Sequence, residues 1–221
     1  MKLSEIKPGE RITFTGRILS SPRKPLISSR NAIFAIIGDG EHVLHLVAFD
    51  SDTGKLNLKK GDVALITNGI FSGLKNLKQP PTVTIDGRTV VEKRTMDFRS
   101  VEECINKKFI DEISDNEYCA ISGFPIVYRI FSYYCNKCKK FGDEMCDCGN
   151  FPEPIFRISG VFSDGTKTVW FSTSSEEISE DLSGVEKSNA VNTDVKSIMA
   201  KPRKFFGYLH DGNFHVEEVL G

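Results

Sequence analysis

Four of the six cysteines fall in one short stretch, Tyr133 to Phe151 (YYCNKCKKFGDEMCDCGNF), spaced as C-x2-C-x7-C-x-C. Two close pairs of thiolates, each on a tight turn, supply the four soft ligands that tetrahedral zinc prefers. A set made of Cys135, Cys138, Cys146 and Cys148 closes around one ion and leaves no position for substrate. The spacing therefore points to one structural zinc ion. The first pair on its own fits a redox dithiol, but no βαβ pattern surrounds it and two further thiols lie close by. The second pair has a single intervening residue, Asp147, where two are commoner. Gly149 follows it and can take the positive φ that such a knuckle turn needs.

The chain around this clip has 221 residues, enough for one large domain or two small ones with a core each. Apolar content of 39% and charged content of 27% are those of an ordinary globular protein. No apolar run reaches membrane-spanning length, and MKLSEIKPGER lacks the apolar core of a signal peptide, so no membrane partner is expected. Clustered free thiols survive best under reducing conditions, which favours an intracellular location. A net charge of −1 excludes a globally basic nucleic-acid coat. Residues 1–30 nevertheless hold seven Lys/Arg against Glu5 and Glu10, so polyanion binding has to come from patches and be salt-sensitive.

Apolar and polar residues alternate over 11–19 (RITFTGRIL) as in a half-buried strand, and SPRKPLISSRN then reads as a long basic loop. Ala32–Ile37 and Val43–Phe49 flank Gly38-Asp39-Gly40, a hairpin signal. A further strand is expected over Val63–Ile70, a second basic loop from Phe71 to the Pro80-Pro81 pair, and a last strand near Val83–Val91. Five strands in this order, with a turn or short helix between the third and fourth, suggest a small closed barrel of the OB type. The ligand groove of that fold lies on strands two and three, and here both flanking loops are basic. Arg23, Lys24, Arg30, Lys75 and Lys78 are either phosphate contacts or a solvated surface. In strand three, Leu44, Leu46 and Ala48 make one face, and His45, Val47 and Phe49 the other. Phe49 is either a base-stacking platform or core, and Phe71 is a second stacking candidate.

Ser100-Val-Glu-Glu is a capping-box sequence, and Val101, Cys104, Ile105 and Phe109 continue it at helical spacing, with Cys104 as a packed thiol. This gives domains over 1–95 and 117–221 with a helical connector over 96–116. From Tyr118 the barrel pattern starts again. Cys119–Tyr134 is a long first strand with a kink or bulge at Gly123 and Pro125. The cysteine stretch, 133–151, takes the place of the first half's long loop. FRISGVFSDGTKTVWF can be laid beside FAIIGDGEHVLHLVAF on the Asp-Gly turn, an internal repeat of architecture. Helices are expected over Ser174–Leu182, with a capping box from Ser174 to Glu177 and a stop at Gly184, and over about Thr193–Ala200. Phe205–Leu209 and Phe214–Val219 form the closing hairpin. Trp170 alternates with Thr168 and Ser172 on a polar face, which favours an exposed stacking position over a core one. Tyr208 and Phe206 belong either to the groove or to the core, and Lys201, Arg203 and Lys204 stand near them to neutralise phosphates. The fold class expected is all-β with a few short helices: two tandem OB barrels, the second with a zinc-ribbon insertion between strands one and two.

This arrangement resembles the replication protein A large-subunit family, single-stranded DNA-binding proteins of eukaryotes and archaea. The features that carry the resemblance are the ribbon cysteines between Ile121–Tyr134 and Phe151–Val161, then FRISGVFSDGTKTVWF, the helical segment to Ala200 and the closing hairpin. The second half is covered nearly end to end, and the first half resembles the family's plain barrels. The resemblance implies binding of single-stranded DNA by stacking, with Trp170 in the family's strand-three position, in replication, recombination or repair. It implies the cytoplasm of an archaeon or the nucleus of a eukaryote, and as partners other subunits of that type or repair proteins. The chain ends at Gly221 without the helix through which the family trimerises, so hetero-oligomer assembly is not expected from this stretch.

Two other readings are a single-stranded RNA ligand and a protein-binding subunit of a nucleic-acid assembly. An enzyme is not expected. His215-Val-Glu217 follows the cysteines where a zinc deaminase signature needs it before them, and no P-loop, nucleophile elbow or paired acids appear.

Overall fold

A computed structural model describes residues 5–25, 31–72, 80–142, 144–192 and 201–221. The chain divides into two compact units, Met1–Lys108 with Ser114–Ala120, and Phe109–Ile113 with Ile121–Gly221.

In the first unit β1 (Arg11–Arg23), β2 (Ala32–Gly38), β3 (Val43–Phe49), β4 (Val63–Ser72) and β5 (Thr82–Ile85) pair in the order β1-β2-β3-β5-β4, and β4 returns to β1. Only the β3–β5 pair is parallel among these. Closure depends on β1, whose first half pairs with β4 and whose second half pairs with β2. Gly16 sits at the crossover, where a Cβ would lie 2.7 Å from the Gly38 carbonyl, so a side chain there would push the two strands apart. Inward-facing Ala35, Ile37, Leu44, Leu46 and Ala48 meet Ile18, Ile66, Phe71 and Val83 in one core. The segment expected as one strand over 83–91 turns instead at Asp86. Its second half is β6 (Val90–Arg94), which pairs with the outside of β4. The basic loop expected from Ser21 begins later, because Ser21–Arg23 stays in β1, with a register shift between Ser20 and Arg23.

The second unit repeats this topology with β7 (Tyr118–Cys135), β9 (Glu153–Ser163), β10 (Thr168–Thr173), β11 (Arg203–His210) and β12 (Asn213–Leu220). Again one pair, β10–β12, is parallel, and β11 returns to β7. Gly123 plays the part of Gly16, its absent Cβ leaving room for the Ser163 carbonyl, whereas the register shifts fall further on, between Val127 and Phe131. β8 (Lys140–Phe141) forms a hairpin with the end of β7, so the cysteine stretch is an insertion between the first and second barrel strands. The fold is therefore all-β with short helices, two OB barrels in tandem.

The core of the second barrel is aromatic. Phe205 lies 4.6 Å from Phe162 and 5.3 Å from Phe171 between ring centroids, with Phe156, Phe206 and Phe214 fully buried. Helix α1 (Glu176–Ser183) caps it with Ile178 and Leu182. Its N-cap is Ser175, whose hydroxyl accepts from the Ile178 amide, and its C-cap is Gly184. The expected Ser174 cap is off by one, since the Ser174 hydroxyl donates to the Glu217 carboxylate at 3.1 Å. A buried knot locks α1 down: Thr173 Oγ1 and Ser179 Oγ are 2.6 Å apart, and Ser179 also donates to the Phe156 carbonyl.

The helix expected after Ser100 is a single 3-10 turn, Glu102–Cys104. The capping-box bonds form between Ser100 and Glu103, and Cys104 is buried as expected, but Phe109 lies outside the turn and is exposed. Local signals can start a helix, but without a continuous apolar stripe to bury nothing extends it. The helix expected over 193–200 lies outside the described residues.

Candidate metal centre and outer-face site

Cys135 ends β7, and Cys138 closes the turn into β8, where the Lys139 amide donates to the Cys135 carbonyl at 2.8 Å. The second knuckle is closed by the Gly149 amide on the Cys146 carbonyl, with Gly149 at φ 77°, the left-handed region in which glycine carries no steric cost. The four sulfurs lie within 4.8 Å of one another, Cys135 and Cys148 being 3.6 Å apart. A tetrahedral ion with bonds of about 2.3 Å spaces its sulfurs by about 3.8 Å, so the cluster has the size for zinc. All six cysteines are free thiols. The Cys138 amide donates to Cys135 Sγ and, with the neighbouring thiols, brings that thiol down to about 7. Burial and the negative charge on Cys135 push Cys146 up to about 12, so its thiolate forms at neutral pH only when a cation balances it. Cys135, Cys138, Cys146 and Cys148 would hold the metal, and four thiolates leave it no open position for chemistry.

The outer face of the second barrel carries a different set. Trp170 on β10 is 58% exposed. It is paired with Val161 on one side and Asn213 on the other, and the same cross-strand row continues to Ile126 and His210. The neighbouring row runs Tyr208, His215, Ser172, Ser159, Arg129. Ser172 Oγ accepts from Arg157 Nη2 at 2.7 Å and from Asn213 Nδ2 at 2.9 Å. Burial lowers His215 to about 4, with Arg157 acting in the same sense, so the ring is neutral at neutral pH. Tyr208 stacks on it at 4.9 Å and 14° between planes, and its hydroxyl is raised by burial and by Glu217. Arg157 reaches the metal insertion as well, its guanidinium 4.8 Å from the centroid of Phe141, whose ring packs 5.1 Å from Tyr134.

Several candidates from the sequence are placed elsewhere. Phe71 and Phe206 are both 0% exposed and offer no face for a base, Phe71 because it points into the core of its barrel. Arg203 and Lys204 begin β11, where Lys204 pairs with Leu220. The Asn213 partner of that strand is His210, six residues and about 20 Å further along, so this basic pair is not beside Trp170. Phe49 is half-buried at the end of β3, Arg23 is half-buried in register with Phe34, and Lys24 is exposed. Arg30, Lys75 and Lys78 lie outside the described residues.

Asn213, Arg157 and Ile126 were not singled out from the sequence, and His215 was weighed only as part of a deaminase signature. One signal could have found the equivalent position in the first barrel. Asp39 and Asp164 each close a hairpin by accepting two amides, and Trp170 and His45 both stand six residues later. His45 packs on Phe34 at 4.7 Å, but its row partner Ile36 is 1% exposed and Val47 only 6%, so this face is not an open groove. Two of the basic residues near the start are also engaged. Arg17 donates to the carbonyls of Gly61, Phe98 and Arg99, and Arg11 forms a two-point pair with Asp86, holding that carboxyl well below the usual range. An open cleft of about 720 Å³ in this unit is lined by Asp39, Glu41, Asp97 and Glu103 together with Arg99, an acidic balance that disfavours a polyanion.

Fold and site together define a tandem OB-barrel chain with a four-thiol insertion in its second barrel. No protein-family model matches the chain, and no curated protein matches it. Among solved structures it is similar to a replication protein A heterotrimer bound to ssDNA, at 13% identity and TM-score 0.45 over 93% of this chain and 46% of that one. It is similar to a replication factor A related protein from Methanobacterium thermoautotrophicum, at 23% identity and TM-score 0.34, over 42% of this chain and 89% of that one. Fission yeast Pot1 with ssDNA gives 13% identity and TM-score 0.34, over 47% and 42%. The chain thus spans less than half of the replication protein A chain. The assignment of the fold rests on the strand pairing itself.

Proposed function

We propose that this chain holds single-stranded DNA on the outer face of its second barrel, as a binding protein of the replication protein A type that serves replication, recombination or repair without chemistry of its own. The observation that carries this reading is Trp170, a large aromatic ring exposed in the middle of a barrel strand, with Asn213 as its hydrogen-bonding neighbour on one side and Val161 on the other. A base stacked on such a ring contributes about 1–3 kcal/mol, and every base has a face to offer. Arg129, exposed at the end of the neighbouring row, and Lys167 in the β9–β10 turn supply cations for the backbone. Zinc in the four-thiol centre would contribute folding free energy to the insertion that Phe141 and Arg157 connect to this face.

The test is a titration of Trp170 fluorescence with oligothymidylate and with RNA of matching sequence at two salt concentrations. Quenching by DNA that weakens as salt rises supports the reading. Tighter binding of the RNA would make RNA the ligand. An unchanged signal with both would overturn nucleic-acid binding and leave a protein-binding assembly subunit.

A further inference from the structure

The groups around Trp170 are more ordered than a sequence-tolerant stacking platform requires. Asn213 is the direct partner of Trp170 in the parallel β10–β12 pair. Its amide has two N–H donors and one carbonyl acceptor. Nδ2 lies 2.9 Å from Ser172 Oγ and 3.3 Å from His215 Nε2. Asn213 Nδ2 can only donate, so in this contact Nε2 of His215, whose ring is held flat against Tyr208, accepts. Ser172 Oγ takes the Asn213 donor on one lone pair and the Arg157 guanidinium, which can only donate, on the other. Both amide hydrogens are therefore engaged within the protein, which leaves Oδ1, an acceptor, as the remaining hydrogen-bonding group of the amide.

We infer that this network reads the edge of the base stacked on Trp170, Asn213 Oδ1 accepting from an exocyclic amino group, so that cytosine and adenine are favoured over thymine and uracil. The inference rests on the nucleic-acid reading above. Asparagine beside a base amine is an established pairing chemistry, whereas the 4-oxo group of thymine would set one carbonyl against another. A platform alone discriminates little, because stacking is available to all bases. The Ser172 and His215 contacts hold the amide in a fixed orientation, so that it favours the amino group.

Oligomers of thymidine and of 5-methyl-2′-deoxycytidine make the test, since they share ring size and methyl group and differ in the oxygen or amine on C4 and, with it, in whether N3 carries a hydrogen. With the full chain, the 5-methylcytosine oligomer should bind about 3- to 10-fold more tightly, the worth of one hydrogen bond. Asn213→Ala and Ser172→Ala should each bring that ratio toward one while Trp170 quenching persists, which also shows that the barrel is folded. A wild-type ratio of one, a preference for thymidine, or a ratio unchanged in Asn213→Ala would overturn the inference and leave binding intact. Loss of quenching with both oligomers would overturn the binding reading and this one with it.

Discussion

Aromatic side chains on the barrel strands have opposite uses according to their exposure. Trp170 is exposed and Phe206 buried. Trp170→Ala should leave the urea midpoint nearly unchanged, since an exposed side chain buries little on folding. It should weaken oligonucleotide binding about 5- to 150-fold, as measured by fluorescence anisotropy. Phe206→Ala and Phe71→Ala should do the reverse, each costing about 3–5 kcal/mol in urea denaturation by opening a cavity. Asp164 illustrates charge at the same scale. Burial alone would raise its carboxyl, but the Ile110 amide, the Thr166 hydroxyl and the amides of Lys167 and Thr166 outweigh that and hold it at about 2. Its folded pKa is thus depressed below an unfolded value of about 3.9. The stability it contributes is complete above about pH 4 and is lost as pH falls toward about 2. The difference in urea midpoint between wild type and Asp164→Asn should accordingly be largest near neutral pH and vanish at about pH 2.

Elements here are held by short polar devices. The Thr173–Ser179 pair is fully buried, so Ser179→Ala removes their 2.6 Å contact and the donor to the Phe156 carbonyl, leaves Thr173 only its Ile158 partners, and should cost about 1 kcal/mol, read as a lower thermal midpoint. The β7–β8 hairpin has little to bury of its own, with Lys140 and Phe141 exposed. Metal analysis should find one zinc per chain, and a chelator or Cys148→Ser should loosen the second barrel while the first barrel's unfolding is unchanged. At this scale the sequence was legible where a local rule decides: the Asp-Gly turns, the Gly184 stop and the cysteine knuckles needed only neighbours in sequence. It was not legible where length depends on burial. Ser100 carries the same start signal as a long helix, but Phe109, which would carry the apolar stripe on past Ile105, stays exposed and the helix stops at Cys104.

Across the chain, two barrels of one topology present unlike outer faces. The row of Trp170 has exposed neighbours, whereas the row of His45 includes a buried Ile36. Phe49→Ala should therefore leave oligonucleotide affinity within about twofold, far less than the loss of one stacking platform. Alternation, turn chemistry and thiol spacing were enough to determine from sequence that this chain is all-β, barrelled twice, and carries a four-thiol insertion. These are properties of neighbours along the chain, and their period or spacing is visible without coordinates. Only the tertiary structure decided which aromatic rings meet solvent and which polar groups gather around Trp170. Asn213, His215, Ser172 and Arg157 come from three strands, and strand closure alone brings them within hydrogen-bonding distance.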